Sequence, residues 1–171
     1  MNTAYLILGG NKGNKLQNLQ HALQLITDTS GEIAGKSDIF ATSAWGNTNQ
    51  PDFLNQAVCL KTSLTAENLL INLISIEQLL GRVRDHNKWM ERTMDIDILF
   101  YNDEIINTAD LKIPHPFIQE RKFVLVPMAQ LAPKLIHPIL KKNIETLLSE
   151  CHDKLEVTKL HAANDRQTSS L

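Results

Sequence analysis

The sequence predicts an α+β fold: an antiparallel sheet with two helices packed on one face and a helical annex at the C-terminal end. Three observations carry this. Apolar residues recur at helical spacing over 14–30 and 65–81, each stretch opened by a capping residue and closed by glycine. Four other stretches have strand composition or alternation, so the order is strand–helix–strand–strand–helix–strand, the split βαβ pattern of a ferredoxin-like sandwich. Beyond residue 113, Pro114, Pro116, Pro127 and Pro133 punctuate segments of helical character.

Taken in order, residues 4–8 (AYLIL) form a buried strand, and Gly9 to Asn14 compose a loop. Asn14 caps a helix with apolar positions Leu16, Leu19, Leu23 and Ile26, and Gly31 ends the unit. Residues 33–42 make a second strand, weakened by Gly35. A loop rich in Gly, Asn, Gln and Pro spans 43–52. In the third strand, 53–62, Leu54, Gln56, Val58 and Leu60 share one face. Thr65 caps the second helix, whose stripe is Leu69, Leu70, Leu73, Ile76 and Leu80; Glu67 suits its first turn and Gly81 stops it. Residues 82–91 are polar and basic without a period, as in a mobile loop. Next comes a strand with Met94, Ile96, Ile98 and Phe100 on one face, ending at the turn Tyr101-Asn102-Asp103, with a short strand from Ile105. Helices follow over 122–131, with Pro127 inside, and 144–151, capped by Asn143. Residues 1–160 read as one domain and 161–171 as a disordered polar tail.

Composition excludes several classes. Of 171 residues, 43% are apolar and 21% charged, ordinary globular values; 17 Lys and Arg against 19 Asp and Glu give a net charge of −2. No overall basic field exists to hold nucleic acid, so an anion site must be local. Cys59 and Cys151 form no metal or disulfide pattern. No apolar run reaches the ~18–20 residues of a membrane span, and a monomeric cytoplasmic protein is the expectation.

The chemistry concentrates at Asp95 and Asp97. Strand periodicity puts both carboxylates on one face, roughly 6.5–7 Å apart at Cα. Such a pair repels itself unless a cation intervenes, and Mg2+ takes one or two carboxylates together with phosphate oxygens. Arg82, Arg84, Lys88 and Arg92 precede the pair closely. Acids beside guanidinium groups suit a metal-bound polyphosphate. The Gly9-Gly10-Asn11-Lys12-Gly13 loop matches neither the Walker spacing nor G-x-G-x-x-G, so nucleotide contacts must lie elsewhere.

Gln50-Pro51-Asp52-Phe53-Leu54-Asn55, Leu80-Gly81-Arg82-Val83-Arg84, Arg92-Thr93-Met94-Asp95-Ile96-Asp97-Ile98, Pro114-His115 and Arg121-x-Phe123 occur in that order. Over about residues 4–137 the chain resembles the 6-hydroxymethyl-7,8-dihydropterin pyrophosphokinase family. The resemblance implies a ferredoxin-like fold and transfer of pyrophosphate from ATP to the hydroxymethyl group of a reduced pterin, with two Mg2+ ions and small-molecule partners only. It implies Arg82 and Arg92 as catalytic, with Asp95 and Asp97 catalytic and metal-binding. The pterin falls to Phe53, Phe123, Asn55, Thr42 and Trp45, and to Trp89 as its loop shuts. ATP falls to Glu77, Arg84, Ile98, Lys112, His115 and Arg121, although Glu77 by itself reads as a surface residue. His115 and Arg121 would position and neutralise phosphate. ATP and metal are expected to bind first. The chain departs from the family pattern at Met90, Glu91, Asp110, Lys112 and Pro116.

Two rivals fit parts of the sequence. A metal-dependent phosphohydrolase could use Asp95 and Asp97 but does not need Phe53, Asn55 and Phe123. A ferredoxin-like RNA-binding module needs basic, aromatic strands, and here the strand carries acids.

Overall fold

The computed structural model describes residues 1–43, 49, 51–82 and 92–161. The strands are β1 (Asn2–Gly10), β2 (Glu32–Lys36), β3 (Phe40–Thr42), β4 (Phe53–Thr62), β5 (Asp95–Tyr101), the short hairpin β6 (Ile106–Asn107) and β7 (Lys112–Ile113), and β8 (Val157–Lys159). The helices are α1 (Lys15–Thr29), α2 (Ala66–Leu79), α3 (Lys122–Leu131) and α4 (Ile144–Glu150). The main sheet runs β5-β1-β4-β3-β8, with β2 also on β4, and every pairing in it is antiparallel.

Capping residues set the helix starts. Asn14 accepts from the Gln17 amide at 3.1 Å, Thr65 from Asn68 at 3.2 Å and Asn143 from Thr146 at 2.8 Å. Gly31 adopts φ 149°, and a Cβ there would meet the Lys61 carbonyl oxygen at 2.1 Å, so the turn into β2 requires glycine. One face of the sheet buries Leu6, Leu8, Leu54, Val58, Leu60, Ile96 and Ile98 against α1 and α2. The other face packs Ile7, Ala57, Leu99 and Phe100 against α3 and α4. The annex is therefore a second layer over part of the sheet, and the uncovered part holds the site. Among the described residues, no helix is long and apolar enough to cross a membrane.

Four expectations need correction. Leu16 is 37% exposed; the buried stripe of α1 is Leu19, Ala22 and Ile26. The strand expected over 33–42 is two, β2 and β3, because the register shifts beside Gly35 and the chain breaks at Ser37. Ser37 stays tied to β4: its amide donates to the Ala57 carbonyl (2.9 Å), its hydroxyl accepts from the Ala57 amide (3.0 Å), and its carbonyl accepts from Gln56 (2.7 Å). Phe100 does not share a face with Ile96 and Ile98. A bulge leaves Leu99 unpaired between the Tyr5–Phe100 and Leu6–Ile98 pairs, and an extra residue reverses the faces beyond it. Finally, β8, unforeseen in the sequence, extends the sheet beside β3.

Candidate active site

Register builds the site. Asn55 on β4 lies opposite Gly9 on β1, and Gly9 lies opposite Asp95 on β5; one step along, Ala57, Ile7 and Asp97 form the parallel row. Asn55 and Asp95 thus stand two strand spacings apart, about 9–10 Å. Between them Gly9 contributes no side chain; a Cβ there would lie 2.6 Å from Asn55 Oδ1. Above this floor is a cavity of about 960 Å³, lined among others by Thr42, Phe53, Arg92, Arg121 and Phe123. Asn55 is buried, and its amide donates to the Thr42 hydroxyl at 2.9 Å.

Asp95 and Asp97 both line the cavity, as the alternation requires, while Ile96 and Ile98 point into the helix-covered core. Arg82 and Arg92 grip Asp95 from two sides: Arg82 donates to Oδ1, and Arg92 donates to Oδ2 at 2.7 Å. Glu77 is buried, not a surface residue as the sequence suggested. Its Oε1 accepts from the Ile96 amide at 2.8 Å and pairs with Arg82 at 2.9 Å, so it holds that guanidinium from the α2 side. Burial, reinforced by the charges of Asp95 and Glu77, pushes the Asp97 carboxyl up to about 7, against Arg121 and Arg82. Three carboxylates crowd here, and the guanidinium groups of Arg82 and Arg92 lie against that of Asp95. The donor set fits Mg2+. Among the described residues, no cluster of three or more His, Cys, Asp or Glu could hold a metal alone, so water or phosphate oxygens would complete its coordination.

Arg121 stacks between two rings, 5.0 Å from the Phe117 centroid and 5.8 Å from that of Phe123. The His115 amide donates to the Leu99 carbonyl, and its Nδ1 accepts from the Phe117 amide at 3.2 Å, so the ring proton is assigned to Nε2. Burial first, then Arg121, lower the His115 pKa to about 4. That shift favours an uncharged His115 near pH 7, which would serve phosphate as a hydrogen-bond donor rather than as a cation.

Of the residues anticipated from sequence, Thr42, Phe53, Asn55, Arg92, Asp95, Asp97, Arg121 and Phe123 meet at the cavity. Arg82 and Glu77 stand behind Asp95. The Ile98 side chain faces the helix-side core, leaving its backbone as any contact, and Lys112 is exposed on β7. Trp45, Arg84, Trp89, Met90 and Glu91 lie outside the described residues.

Phe117 and Asn11 are among the residues the sequence reading missed. Phe117 lines the cavity and is 45% exposed; its spacing of four from Arg121 was the available signal. Asn11 is 1% exposed and joins three segments. Its amide donates to the Arg92 carbonyl (2.9 Å), its Oδ1 accepts from the Arg92 amide (2.9 Å), and its Nδ2 donates to the Pro51 carbonyl (3.2 Å). Gly10 permits this approach, since a Cβ there would sit 2.3 Å from the Thr93 carbonyl oxygen.

A carboxylate pair, attendant arginines and an apolar slot with one amide suit a transferase acting on a polyphosphate and a flat polar ring. The family model for 7,8-dihydro-6-hydroxymethylpterin-pyrophosphokinase (HPPK) matches residues 5–133, and the chain belongs to that family. Relatives named 2-amino-4-hydroxy-6-hydroxymethyldihydropteridine pyrophosphokinase include one from Aquifex aeolicus, 39% identical over 88% of this chain and 92% of its own. Another, from Methylorubrum extorquens, is 43% identical over 80% and 86%. Among solved structures, HPPK-DHPS wild type from Plasmodium falciparum with SDX-DHP aligns at TM-score 0.72 and 19% identity over 87% of this chain. That likeness speaks for the fold alone, and this chain spans 44% of the fused protein.

Proposed function

We propose that the cavity holds the pterin across Gly9, with its amide edge at Asn55, its rings between Phe53 and Phe123, and its hydroxymethyl group at Asp95 and Asp97. The protein transfers the pyrophosphoryl group of ATP to 6-hydroxymethyl-7,8-dihydropterin in folate biosynthesis, and AMP is the other product. One observation carries the arrangement: the Asn55–Gly9–Asp95 row, an amide and a carboxylate separated by a bare floor on one face.

Asp95 and Asp97 would hold Mg2+, in the two-ion form, with ATP oxygens completing the shell. Bound there, Mg2+ would supply charge neutralisation on the phosphates and acidify the pterin hydroxyl. The remaining work belongs to the chain's side chains. Arg82 and Arg92, now on Asp95, exchange that carboxylate for phosphate oxygens when the nucleotide arrives, and Glu77 keeps Arg82 within reach. His115 donates from Nε2 to phosphate without adding charge, and Arg121 adds a fixed cation. Asn55, steadied by Thr42, reads the ring edge as donor and acceptor. One chain furnishes both ends of the site, consistent with a monomer.

The assay is AMP formation dependent on the pterin. Asn55→Ala is expected to raise pterin KM about tenfold or more with ATP KM unchanged, whereas Asp95→Asn is expected to lower kcat by roughly 10³ or more. Equal effects of both variants on the two substrates would refute the assignment of ends. Pterin affinity should also rise when a non-hydrolysable ATP analogue and Mg2+ are present; identical affinity with and without them removes the ordered exchange.

A further inference from the structure

The family match ends at residue 133, yet the cavity wall continues beyond it. His152, Asp153, Lys154 and Leu155, between α4 and β8, line the same cavity as Phe53 and Phe123. This segment is pinned at both ends. Asp153 Oδ2 accepts from the Lys122 amide in the first turn of α3, and its Oδ1 accepts from the Leu155 amide, each at 3.0 Å. Beyond the cavity, β8 pairs with β3, setting Val157 opposite Thr42; Lys159 bridges to Asp38 at 2.9 Å and the Leu160 amide donates to the Ile39 carbonyl at 2.8 Å. The first anchor adjoins Phe123 and the second adjoins Thr42, two side chains of the pterin end. The segment therefore crosses that end, far along the sheet from Asp95 on the opposite edge strand. Leu155 is half-buried with its backbone fixed, an apolar surface held on the cavity.

We propose that residues 152–155 form a wall of the pterin end and that Leu155 is a specificity-determining contact for the pterin. It rests on the assignment of Asn55 and Phe53 to that end. Within that wall Leu155 offers an apolar contact to the face of the ring, while Asn55 serves its polar edge. Asp153 is a positioning residue: it acts by fixing where Leu155 sits.

The test compares Leu155→Ala, Asp153→Asn and Asn55→Ala in steady-state kinetics, with thermal melting as the check on folding. Leu155→Ala is expected to raise pterin KM three- to tenfold, with ATP KM and the melting temperature nearly unchanged. Asp153→Asn should move pterin KM in the same direction by less. If Asn55→Ala raises pterin KM and Leu155→Ala does not, the wall is overturned and the pterin end stands; if neither does, both fall. A second measurement needs no variant. Lys154 is exposed, so the Lys154–Leu155 bond offers a trypsin site, and its cleavage in the full chain, followed by mass spectrometry, is expected to slow severalfold with pterin, ATP analogue and Mg2+ together, but not with analogue and Mg2+ alone. Equal cleavage in the two conditions contradicts the proposal.

Discussion

At Gly9 the missing side chain leaves a bare floor, and the neighbouring Asn11 fixes what surrounds it. Asn11 presents an acceptor to the Arg92 amide and a donor to the Pro51 carbonyl, so one buried side chain ties the arginine arm to the loop before Phe53. The two halves can be separated by substitution. Asn11→Asp keeps the acceptor and loses the donor; Asn11→Ala loses both, at a cost of about 1–3 kcal/mol for each buried group left without a partner. The expected outcome is that Asn11→Asp raises pterin KM with kcat within about threefold of wild type. Asn11→Ala should lower kcat roughly tenfold as well, because Arg92 loses its seat. Indistinguishable kinetics for the two variants would show that the Arg92 tether is not the part that matters. Glu77 invites a similar dissection. Glu77→Gln retains an acceptor for the Ile96 amide but drops the charge facing Arg82. Its kcat should fall more than its melting temperature, and a simple loss of stability at full kcat would make Glu77 structural only.

At the level of elements, legibility followed the strength of the local signal. The caps Asn14, Thr65 and Asn143 were visible because each needs only itself and a backbone amide three residues on. The Asp95 and Asp97 face was visible because period 2 is rigid over short distances. The same rule misplaced Phe100, since the bulge at Leu99 is set by pairing with β1, a partner about ninety residues away that no local pattern reveals. β2 and β3 looked like one strand because the break at Ser37 is stabilised by Ala57 and Gln56 across the sheet. Glu77 looked like a surface acid because its cationic partner lies past the end of its helix. Asn11 and Leu155 depend wholly on tertiary approach. The resemblance supplied the roles of the site residues; composition and periodicity alone reached only paired acids beside arginines.

Across the whole molecule, two half-buried ionisable groups pull stability in opposite directions as pH changes. Asp97, raised from its ordinary value of 3.8 to about 7, holds a proton in the folded chain that the unfolded chain has released. The stability this gives is fully present below pH 3.8 and is lost as pH rises through 7. His115, lowered from 6.5 to about 4, is the reverse: its contribution is present above pH 6.5 and is lost as pH falls through 4. Each group alters stability by at most about 1.4 kcal/mol per pH unit within its window. Variants isolate them. The melting temperature of Asp97→Asn minus that of wild type should be small near pH 4 and climb to roughly 3–10 °C by pH 8, corresponding to about 1–3 kcal/mol. The difference for His115→Asn should instead grow as pH falls from 6.5 to 4. Repeating the pH 8 melts with Mg2+ and ATP connects stability to function. Ligand at about a hundred times Kd stabilises the folded state by about 2.7 kcal/mol, so wild type should rise by several degrees and Asp97→Asn should not. A pH-independent difference for Asp97→Asn would show that burial and the charges of Asp95 and Glu77 do not raise the Asp97 carboxyl. An undiminished response of that variant to Mg2+ and ATP would show that the carboxylate is not where metal and nucleotide meet the chain.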